Sequence, residues 1–176
     1  MPSFSRASVS HLSTCHPLLQ RLFQRVVVDY DCTVLEGHRG QEAQDRAFAA
    51  GNSKLKWPNG NHNAYPSLAV DVAPYDAALK GVNWQTRVLD PNGRLDKEGL
   101  ANLCRFYHFA GVVKGMAVLL GIQVRWGGDW NGDNYFNDQT FNDLVHFEVK
   151  PPKSVTILPK PGELFDPGTN SDGSLT

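Results

Sequence analysis

The chain has 176 residues, 41% of them hydrophobic and 20% charged, with a formal net charge of −1. That length supports one domain with a real core, and the composition is that of an ordinary globular protein. The absence of a basic excess argues against a nucleic-acid partner, and the absence of an acidic run argues against a disordered chain.

The elements follow in chain order. Leu18, Leu19, Leu22, Phe23 and Val26 recur at helical spacing, so residues 8–28 contain an amphipathic helix, with Pro17 opening its main part. Cys32 to Glu36 is short and β-branched and is followed by Gly37, the pattern of a strand. Gln41 to Ala50 reads as a helix stopped by Gly51. Asn52 to Ser67 is a long polar loop with Pro58, Gly60 and Pro66, and loops of that length are usually functional or disordered. Leu68 to Ala73 reads as a strand, and Trp84 to Arg94 as a turn-rich connection centred on Pro91-Asn92-Gly93. Asp96 is placed to cap a long helix reaching Leu120, which Gly111 and Gly115 weaken unless another element packs closely there. Strands are expected over 122–126 and 144–149, with a polar loop, 127–142, between them. Helices and strands do not alternate regularly, so the expected class is α+β: a single domain over 1–150, with a small antiparallel sheet packed with helices. Residues 151–176, rich in Pro, Gly, Ser and Asp, read as a loosely held tail.

The longest apolar stretch, 110–122, is interrupted by Lys114 and is too short to span a bilayer. The first residues carry no charged segment followed by an apolar run, so no signal peptide is expected, and the chain reads as cytoplasmic in the cell that makes it. Cys15, Cys32 and Cys104 are far apart and odd in number, which points to buried reduced thiols rather than a disulfide framework.

Side chains alternate along a strand. In 142–149 (NDLVHFEV), Val145, Phe147 and Val149 share one face and His146 and Glu148 the other, with Asp143 at the entrance. An ordinary polar strand edge gives the same pattern. In 68–73 (LAVDVA), Asp71 lies between Ala69 and Ala73 on one face, and the small alanines leave room beside it. A carboxylate there is costly to bury unless paired or metal-bound, and a salt bridge to Arg39 is an equal alternative. His62 alone is a loop histidine. Taken together, His62, Asp71 and His146 are a common zinc set, two imidazoles and a carboxylate with one position left for water. The other histidines are weaker candidates, though His38 neighbours Arg39 and could line the site. No GxSxG elbow or phosphate-binding glycine loop is present. Trp126 and Trp130 either wall a cleft or pack in the core. Asp129, Asn131 and Asp133 alternate as in a calcium loop, but the sixth-position glycine and closing glutamate are missing. That stretch reads as a solvated loop.

The stretch 37–75 (GHRGQEAQDRAFAAGNSKLKWPNGNHNAYPSLAVDVAPY), with WGGDW at 126–130 and FNDLVHFEV at 141–149, resembles the zinc peptidases of the VanY and D-Ala-D-Ala carboxypeptidase group, and within it the phage endolysins acting as L-alanyl-D-glutamate endopeptidases. The resemblance runs from Phe4 to Val149. It implies a Hedgehog/DD-peptidase-like fold, one zinc ion on His62, Asp71 and His146, Asp143 as general base, and Arg39 holding substrate or developing negative charge. It implies cleavage of the peptidoglycan stem peptide between L-Ala and D-Glu, hence bacterial lysis. A D,D-carboxypeptidase or dipeptidase of the same fold is the alternative, and a non-catalytic zinc or wall-binding module a second. The expected protein is a monomer without stable membrane association, reaching the wall after release with a holin-like partner. One departure is Gly60, where family members often carry serine.

Overall fold

The computed structural model describes residues 2–150. The tail, 151–176, lies outside the described residues. The elements are α1 (Arg6–Ser13), α2 (Pro17–Asp29), β1 (Cys32–Glu36), α3 (Gln41–Ala49), β2 (Ala69–Pro74), α4 (Lys97–Leu119), β3 (Val124–Trp126) and β4 (His146–Val149), with a 3-10 turn at Asn61–Asn63. The strands form one antiparallel sheet in the order β1-β2-β4-β3. This is the α+β architecture that the sequence led us to expect.

The expected first helix is two. Ser5 caps α1 by accepting from Ser8 N, and His16 caps α2 by accepting from Leu18 N through its Nδ1. Between them, Cys15 bridges to Ser67. Pro17 opens α2, where its missing N–H costs nothing. Asp96 caps α4 through a 2.9 Å bond from Gly99 N to its carboxylate. Gly111 and Gly115 face open space, so no neighbour packs closely there.

The core joins the apolar face of α2, the inner face of the sheet and one side of α4. Leu19, Leu22, Phe23, Phe109 and Phe147 are fully buried in it. Phe147 meets Phe23 and Phe109 edge-to-face, at 5.5 and 5.9 Å between centroids. Trp126 belongs to this core, with its Nε1 donating to Leu144 O at 2.9 Å. Cys15 and Cys32 are buried thiols, whereas Cys104 is exposed on α4, contrary to expectation. No helix among the described residues is long and apolar enough to cross a membrane.

Two features aim the sheet at the site. A register shift between Val34 and Glu36 sets Glu36 opposite Asp71. On the other side of β2, the register pairs Asp71 with His146 and Ala69 with Glu148. Four polar side chains from three strands are thereby gathered at one end of the sheet.

Candidate metal centre

Three side chains converge at that end. His62 Nε2 lies 3.1 Å from Asp71 Oδ1 and 3.2 Å from His146 Nδ1, and His146 Nδ1 lies 3.2 Å from the same Asp71 oxygen. They are the one group of metal-ligating side chains found together among the described residues.

The outer nitrogens decide which way the imidazoles present themselves. His62 Nδ1 lies 2.7 Å from Gly37 O, and a carbonyl only accepts, so Nδ1 carries the proton. His146 Nε2 lies 3.2 Å from Glu148 Oε2 and donates to that carboxylate. In the neutral rings the two inner nitrogens are then lone pairs, and both point at a third acceptor, the Asp71 carboxylate. Three acceptors facing one another need a cation between them. Without an ion a proton takes that role: burial opposes it, but hydrogen bonds to Asp71 and Glu148 outweigh burial and raise the His146 pKa to about 9. Asp71 is held well below the usual carboxylate range, the cost of its burial being outweighed by hydrogen bonds from His146 and His62.

Backbone fit supports the placement of His62. Gly37 packs so tightly on α1 that a Cβ there would lie 2.3 Å from His11 O, and this approach places its carbonyl against His62. Arg39 N donates to His62 O at 2.8 Å, so residues 37–39 and the 3-10 turn are joined at two points. Gly60 N donates to Asn63 Oδ1 at 2.9 Å. Asn63 thus closes the turn at Gly60 through its own side chain.

Outer partners hold these side chains in turn. Glu148 is buried and accepts from Asn61 Nδ2 at 2.7 Å and Arg125 Nε at 2.7 Å. Its pKa falls to about 2, as bonds from His146 and Asn61 outweigh desolvation. Arg39 pairs through Nη2 with Glu36 and reaches Asp71 Oδ2 at 3.5 Å. The salt bridge weighed from sequence therefore exists, and it leaves Asp71 Oδ1 to the histidines.

Asp143 lines the same cleft as His62, Asp71, His146 and Arg39. Burial and the negative charge of Asp71 raise its pKa, against smaller opposing effects of His146, His62 and Arg39. It sits just outside β4, which begins at His146 rather than Leu144. Asp143 N donates to Gly127 O at 2.9 Å, and Gly127 N donates to His146 O at 2.8 Å. A Cβ on Gly127 would lie 2.4 Å from Asp143 O, so only glycine allows this approach.

The cleft has a volume of about 1190 Å³, large enough for an extended peptide. The two tryptophans divide: Trp126 is core, whereas Trp130 lines the cleft with its ring 5.2 Å from that of His146. His38 does not line the cleft and packs on Tyr65. The 129–140 loop is less solvated than expected at its start: Asp129 is buried, accepts from Gly132 N at 2.9 Å and pairs with Lys114 at 3.2 Å.

Sequence reading missed the outer partners. Glu148 falls on the right face without a role, Gly37 reads only as the end of a strand, and Asn61 and Gln44 carry no mark of their own. Only Glu148 carried a signal, its alternation with His146.

Comparison with known proteins adds the lineage. The model of a family described as phage L-alanyl-D-glutamate peptidase matches residues 2–150. The chain belongs to this family. An L-alanyl-D-glutamate peptidase from Escherichia phage T5 is 28% identical over 138 residues, covering 77% of this chain and 87% of the relative. Among solved structures, the L-Ala D-Glu endopeptidase ChiX of Serratia marcescens superposes with a TM-score of 0.60 at 24% identity, covering 85% of this chain and 91% of that one. That likeness establishes that this family member shares the ChiX fold.

Proposed function

We propose that the protein is a zinc-dependent endopeptidase that cuts the stem peptide of peptidoglycan between L-Ala and D-Glu and so lyses bacteria. The observation that carries the reading is the triangle of three acceptors, with sides of 3.1, 3.2 and 3.2 Å. Ligands about 2.0–2.1 Å from a tetrahedral zinc ion stand about 3.3–3.4 Å apart, so the residues present fit a zinc site. Family membership supports the substrate.

His62, Asp71 and His146 would hold the ion. Bound there, zinc supplies Lewis acidity, polarising the scissile carbonyl and bringing the pKa of water towards about 7. Asp143 accepts a proton from the attacking water on its carboxylate and returns it to the leaving amine. Its raised pKa narrows the gap between base and proton donor, the condition under which proton transfer is most effective. Glu148 and Gly37 O fix the imidazoles in the tautomers that present lone pairs inward. Arg39 anchors the second oxygen of Asp71, which favours a role in orienting the ligand over a grip on substrate.

The test is metal analysis with activity before and after chelation, on purified peptidoglycan whose new termini are identified. The reading expects about one zinc per chain, activity lost on chelation and restored by zinc, and a free amino group on D-Glu. Release of D-Ala instead would assign the protein to the carboxypeptidase alternative. The same reading has the enzyme act from inside the producing cell once a membrane-disrupting partner gives access to the wall.

A further inference from the structure

Three cations line the cleft: Arg39, Lys54 and Arg125. Two are already neutralised. Arg39 faces Glu36 and Asp71, and Arg125 pairs with Glu148 while lying 5.3 Å over the Trp130 ring. Lys54 has no acidic partner among the described residues. Its Nζ lies 5.2 Å from the centroid of Phe141, a residue of the other loop lining the cleft.

The side chain is exposed, but its backbone is anchored. Gln44 is fully buried, and its Nε2 donates to Ser53 Oγ at 2.9 Å and Leu55 O at 2.5 Å, the residues on either side of Lys54. The Oε1 of Gln44 accepts from Asn63 Nδ2 at 3.1 Å, next to the ligand His62. Lys54 is therefore tied through one buried amide to the metal centre and held on an aromatic face, a setting that keeps an ammonium in place without neutralising it.

The substrate proposed above needs such a group. A glutamyl residue has two carboxyls, only one of which continues the chain. The other is an anion within a few bonds of the scissile nitrogen. It enters a cleft whose carboxylates Asp138 and Asp143 form no salt bridge among the described residues, where an uncompensated negative charge is repelled. We propose that Lys54 binds the free carboxylate of the glutamyl residue on the leaving-group side of the scissile bond and makes the enzyme selective for that charge. The proposal rests on the endopeptidase reading.

The experiment compares two synthetic stem peptides that differ only in whether this carboxyl is free or a carboxamide. The wild type is expected to favour the carboxylate roughly five- to twenty-fold in kcat/KM, mostly through KM. Lys54→Met brings the ratio close to one, and Lys54→Arg keeps a preference. Zinc content and thermal unfolding, measured on each variant, separate loss of selectivity from loss of fold. A Lys54→Met enzyme with the wild-type ratio, or a wild type indifferent to the substitution, overturns the proposal. If neither peptide is cut at the alanyl–glutamyl bond, there is no ratio to measure, and the endopeptidase reading falls together with this inference.

Discussion

Glu148 Oε2 lies 3.2 Å from His146 Nε2, on the side of the imidazole opposite its inward lone pair. The carboxylate fixes the tautomer and raises the basicity of the ring, which is how groups outside a metal's ligands tune its affinity. Glu148→Gln keeps the shape and removes the charge. Zinc affinity, measured by competition with a chromophoric chelator, is expected to fall about 10- to 100-fold with the fold intact. Unchanged affinity would mean that Glu148 serves only its contacts with Arg125 and Asn61.

Asp143 tests the chemistry apart from the metal. Its carboxylate lines the cleft but is not one of the three converging side chains. Asp143→Asn is expected to retain one zinc per chain and lose about 10²- to 10⁴-fold in kcat, the usual worth of a positioned general base. Full lytic activity in this variant would remove Asp143 from the mechanism.

Arg39 separates two roles by two readouts. If it acts through Asp71, Arg39→Lys weakens zinc binding, because the shorter and differently shaped ammonium cannot serve Glu36, Gln44 and Asp71 together. If it grips substrate, KM rises and zinc affinity stays. The 3.5 Å contact to Asp71 Oδ2 leads us to expect the first outcome.

Gly127 joins Asp143 to His146 through its backbone. Gly127→Ala places a Cβ 2.4 Å from Asp143 O and 3.0 Å from His146 Cβ, so either the loop or β4 must move. Thermal unfolding is expected to drop by several degrees and activity to fall further than the residual fold accounts for. An alanine enzyme with normal kinetics would show that the loop shifts freely.

Local rules account for what the sequence disclosed. Asp96 announces α4 because a capping carboxylate precedes a long apolar period, and β1 matches its expected bounds because Gly37 punctuates it. His62, Asp71 and His146 were visible as residue types. What brings them together is the pairing of Asp71 with His146 across β2 and β4, a register between segments far apart in the chain. The break between α1 and α2 was hidden because a histidine, not a serine or aspartate, caps α2. Trp126 and Trp130 stand four residues apart, yet one is core and the other cleft, since Gly127 and Gly128 turn the chain between them. Lys54 looked like any loop lysine, because its lack of a partner is a property of the assembled cleft.

The buried thiols give a stability signature at alkaline pH. Burial raises Cys15 from its ordinary value of 9.0 to about 11 and Cys32 to about 12. Above pH 9 the unfolded chain ionises these thiols while the folded chain keeps them protonated. The unfolded state then binds fewer protons, so stability falls as pH rises, by up to about 1.4 kcal/mol per pH unit for each thiol. The window runs from about pH 9 to the folded values of about 11 and 12. Urea unfolding at pH 8 and pH 10 is expected to show the loss, and Cys32→Ala to remove about half of it while lowering stability at pH 8. Exposed Cys104 is expected to react first with a thiol reagent in the native state. A slope unaffected by Cys32→Ala would place the alkaline titration elsewhere in the chain.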